Sequence, residues 1–76
     1  MTSIETRIGH AENALAMYLE SKGEARDGDA SIVDLVADLL HMAKSEGHDP
    51  EAIVRMAVSH VEAETDEARA AEAGDA

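Results

Sequence analysis

The aliphatic residues of this chain recur at intervals of three and four in three separate segments, and nowhere do they alternate with polar residues as a strand would require. Such spacing gathers apolar side chains on one face of a helix. It predicts an all-α fold, a compact three-helix domain. In the first segment Ile4, Ile8, Ala11, Leu15, Tyr18 and Leu19 form one stripe. The helix is expected over about 3–22, with Thr2 and Glu5 at capping-box spacing and Gly23 as its C-terminal stop. Gly9 interrupts it at a cost of about 1 kcal/mol relative to Ala, which marks either a close helix approach or a frayed first turn.

The second helix is expected over about 32–46, with Ser31 as its N-cap and Gly47 just past its end. It carries two adjacent stripes, Ile32/Leu35/Leu39/Met42 and Val33/Val36/Leu40/Ala43. One stripe serves a hairpin. Two place this helix between the other two, or hold one face for a partner. The run Gly47-His48-Asp49-Pro50-Glu51 sets the third helix, expected over about 50–70: Gly closes the preceding helix, Asp49 caps the next, and Pro50 takes its first position. Ile53, Val54, Ala57, Val58 and Val61 are its expected buried face, with Met56 on the flank. So short a turn makes the second and third helices antiparallel neighbours. No large apolar residue follows Val61. A domain over 1–65 and an acidic extension over 66–76, fraying after about Ala70, are therefore expected.

Composition narrows function mostly by exclusion. Six Lys and Arg stand against 17 Asp and Glu, a formal net charge of −11, which repels nucleic-acid phosphate and anionic membranes alike. A turn between two helices is compatible with helix-turn-helix DNA reading, but the third helix offers only Arg55 beside Glu51, Glu62 and Glu64. The natural counterpart is a basic protein surface. One Tyr and no Phe or Trp leave an interface to rest on aliphatic residues and methionine. Absence of cysteine removes disulfides and thiolate metal sites. The N-terminus lacks the apolar run of a signal peptide, so a cytoplasmic location is expected. A chain of 76 residues barely offsets its own entropy, and a partner or a second copy often completes such a fold.

Few residues hint at chemistry. Asp27 and Asp29 in the loop of residues 23–30 lack the ligand spacing of a calcium loop. Asp34, Asp38 and His41 share one face of the second helix, and His60 and Glu64 share one of the third, yet no Glu-x-x-His pair occurs. His41 and His60 are expected to edge the seam between those helices, each hydrogen-bonded, and His10 and His48 to face solvent. The serines Ser3, Ser21, Ser31, Ser45 and Ser59 sit at helix ends or on polar faces, without an elbow or oxyanion loop. Neither a catalytic residue nor a cofactor or metal site is expected.

Two resemblances extend this reading. The stretch from Asp34 to Glu64 resembles the second half of MazG-type nucleotide pyrophosphohydrolases. Asp38 matches that family's Asp, but Leu35 stands where its partner Glu should fall. Magnesium chemistry needs several converging carboxylates, so only helical architecture carries over. A minimal or degenerate metal-dependent nucleotide hydrolase is thus the alternative, and an antitoxin or phage-type inhibitor a further one. Over residues 4 to 65 the chain resembles the QseM-type antiactivators of integrative and conjugative elements. Asp34, Leu35, Asp38, Leu39, His41 and Ala43 carry that likeness, with Gly47, Asp49, Glu51, Arg55, Met56, Ala57, His60 and Glu62. The resemblance implies a quorum-sensing-linked regulator that binds and inhibits a transcriptional activator of conjugative transfer. Asp34, Leu35, Asp38, Leu39, Met42 and Met56 are the candidate partner-binding residues. Repulsion between two chains of −11 favours a monomer or a weak homodimer.

Overall fold

Ser3 caps the first helix: its Oγ accepts the N–H of Thr6 at 3.1 Å. The structure is a computed structural model describing residues 3–74, with side chains for 3–70, and Thr2 lies outside it. Three helices follow, α1 (Ile4–Lys22), α2 (Gly28–Ser45) and α3 (Pro50–Gly74), with no strand among the described residues. The fold is all-α. The chain divides into two units, Met1–Met42 and Ala43–Ala76.

In the first unit α1 ends as expected. Gly23 sits at φ 68°, its N–H reaching Glu20 O at 3.1 Å while that of Glu24 reaches Leu19 O at 3.0 Å. This paired arrangement satisfies orphan carbonyls and needs a left-handed residue. Gly9 has open space where a Cβ would stand, so it marks no close approach.

The start of α2 corrects the expectation. The helix begins at Gly28, four residues before Ile32, and the loop shrinks accordingly. Ser31 is not its N-cap. It is buried inside the first turn, where its Oγ accepts the N–H of Asp27 at 2.8 Å while its own N–H reaches Asp27 O at 3.4 Å. A hydroxyl that reaches back does the work of a cap from within the helix. Leu15 and Leu19 are the buried apolar residues of this unit, with Leu35 and Leu40 half-buried. Ile4, Ile8, Ala11, Ile32, Val33, Val36, Leu39 and Met42 are exposed, so the apolar stripes of α1 and α2 are only partly closed.

In the second unit α2 ends at Ser45, one residue short of the expected Glu46. Gly47 repeats the arrangement at Gly23: φ is 85°, Gly47 N–H reaches Lys44 O at 3.1 Å, and His48 N–H reaches Ala43 O at 2.9 Å. Asp49 then caps α3, its Oδ1 accepting the N–H of Glu51 at 3.0 Å. The α2–α3 boundary is thus as the sequence predicts. The α3 helix runs past residue 70 to Gly74, because Ala- and Glu-rich sequence keeps high helix propensity. Its expected buried face is open: Ile53 and Val54 are 39% exposed, Val58 50% and Val61 63%. Ala43, buried at 6%, is the unit's one buried apolar residue among those described.

Candidate protein-binding surface on the second helix

The α2 helix presents two faces of different character. Ile32, Leu35, Val36 and Leu39 follow a period of three and four, and the structure turns them toward α1. With Ile8, Ala11 and Leu15 of α1 they line an apolar groove of about 340 Å³. Two charged residues complete its lining, Glu12 on α1 and Arg26 in the loop. Asp34, Asp38 and His41 lie on another face, offset from the groove by more than a quarter turn. All three are exposed, and Met42 falls between the two faces at 52% exposure.

The carboxylate face is held in place by α1. Tyr18 Oη donates to Asp38 Oδ2 at 2.5 Å, and Lys22 Nζ donates to Tyr18 Oη at 3.2 Å. The Lys22 ammonium also stands 4.8 Å from the Tyr18 ring centroid and pairs with Glu24 at 3.0 Å. A hydroxyl that donates to a carboxylate resists ionisation, since the phenolate would face that negative charge. The Tyr18 pKa is accordingly raised, chiefly by the Asp38 bond. The Lys22 ammonium is stabilised first by Glu24 and then by Tyr18, which raises its pKa well above the ordinary range. Asp38 keeps further lone pairs for another donor, because a carboxylate has two oxygens and about four acceptor positions.

The five candidate residues of the first unit therefore do not share one patch. Leu35 and Leu39 line the groove, whereas Asp34, Asp38 and Met42 lie beside it. Met56 is 63% exposed on α3, in the second unit. Sequence reasoning placed Tyr18 only in the apolar stripe of α1, not as the donor to Asp38, and did not single out Glu12 and Arg26 in the groove.

His10, His41, His48 and His60 are exposed, with His48 Nε2 3.6 Å from Glu46 Oε1. Among the described residues no three His, Asp or Glu converge as a metal site would need. No helix, over the described residues, is long and apolar enough to cross a membrane. Comparison with protein-family models, curated proteins and solved structures finds no match.

Proposed function

We propose that this chain is a protein-binding regulator: an antiactivator that docks on a transcriptional activator controlling transfer of a mobile genetic element. The observation that supports this is the exposed carboxylate face of α2, Asp34 and Asp38 beside Met42, on a chain of net charge −11. An activator that grips DNA carries a basic surface, and phosphate contacts supply much of its affinity. An acidic helix face competes for that surface by charge, and the methionine adds adaptable apolar contact. The mechanism is occupancy: while the acidic face covers the basic surface, DNA cannot. Such a regulator would act in the cytoplasm, where the activator meets DNA.

Co-expression with the activator of an integrative and conjugative element, with transcription from its target promoter as readout, tests this. Transcription should fall with the natural chain and recover with the double reversal Asp34→Lys, Asp38→Lys. If no such activator is silenced, the reading fails. If the reversed variant keeps its helical circular dichroism yet represses as well as the natural chain, the carboxylate face is not the docking surface.

A further inference from the structure

We propose that the α1–α2 groove is covered by a second copy of this chain, so that two copies pack groove to groove as a symmetric dimer. The first unit, Met1–Met42, holds only two buried apolar residues among those described, Leu15 and Leu19. A chain of 76 residues barely offsets its own entropy, and a second copy often completes such a fold; this one has no cysteine to help. Four of its exposed large apolar residues line the groove: Ile8, Ile32, Val36 and Leu39 are between 44 and 52% exposed there.

The charges of the groove select the occupant. A basic partner would be met by a surplus of carboxylates, as on the Asp34/Asp38 face. The groove has instead one acid, Glu12, and one base, Arg26. Neither enters a salt bridge among the described residues. In a two-fold dimer a residue on one copy meets its counterpart's neighbour twice, by symmetry. One acid and one base in a shared apolar groove then form two reciprocal ion pairs across the axis, Glu12 of each copy with Arg26 of the other. The surface is complementary to itself. Repulsion between two chains of −11 opposes association, but exposed charges are screened over about 8 Å at physiological ionic strength. The carboxylate face of α2 stays outside this contact, so the proposal does not depend on the activator reading and leaves one docking face per copy.

Sedimentation equilibrium at physiological salt tests it. The natural chain should have twice the monomer mass of 8.0 kDa. Leu39→Glu, at a position already 48% exposed, should return it to the monomer mass with its helical circular dichroism retained. A charge-swap series guards against loss of fold. Either Glu12→Arg or Arg26→Glu alone should weaken dimerisation by roughly tenfold, because each creates two like-charge contacts, and the two together should restore most of it. A natural chain that stays at the monomer mass up to the highest soluble concentration overturns the proposal, whether the groove then takes another protein or an apolar small molecule. So does a dimer that neither Leu39→Glu nor the single reversals weaken.

Discussion

Tyr18 is the only aromatic residue of the chain, and its hydrogen bond to Asp38 ties α1 to α2. Its pKa is raised from the ordinary 10.0 by that carboxylate, so the tie contributes stability below pH about 10 and loses it as pH rises through the raised value. Tyrosinate absorbance against pH should therefore give a midpoint above 10.0, and Asp38→Ala should bring it back down. An unchanged midpoint in the variant would show that the bond does not form in solution. Residue-scale roles were only partly legible in the sequence. Ser31 was recognisable as a capping residue because of its hydroxyl, yet the same hydroxyl caps as well from inside the first turn as from in front of it. Tyr18 and Asp38 are twenty positions apart, and no local pattern announces their meeting.

Among the elements, the α2–α3 boundary was the most legible because every part of it is local. A left-handed Gly47, the Asp49 cap and Pro50 at the first helical position act within five residues. Glycine is required at Gly47, where φ is 85°, and not at Gly9 inside α1. Gly47→Ala forces a side chain to φ 85° and should destabilise the fold by about 1–2 kcal/mol. Gly9→Ala fills open space inside α1 and should stabilise it by about 0.5–1 kcal/mol. Urea denaturation followed by circular dichroism compares the two, and shifts of the same sign would contradict this account of the helix ends. Periodicity identified the apolar stripes correctly and could not say what covers them. Ile53, Val54, Val58 and Val61 repeat as a buried face would, yet remain open, because spacing reports orientation and burial depends on a second surface.

At the scale of the whole molecule, charge and open apolar surface point to different contacts. The groove is apolar with one charge of each sign, whereas the other face of α2 carries Asp34 and Asp38 with no Lys or Arg beside them on that face of the helix. Spacing alone separates Leu35 and Leu39 from Asp38 on the helix surface, but it does not say that α1 closes the apolar side into a groove. That depends on how α1 lies against α2 in the first unit. The central claim is that the carboxylate face is what a basic activator recognises. Isothermal titration of the purified chain into that activator at a series of salt concentrations tests it most directly. Affinity should fall steadily as salt rises, and the Asp34→Lys, Asp38→Lys variant should bind about tenfold or more weakly at low salt, with the gap closing at high salt. Equal affinity and equal salt dependence for the two proteins would contradict it.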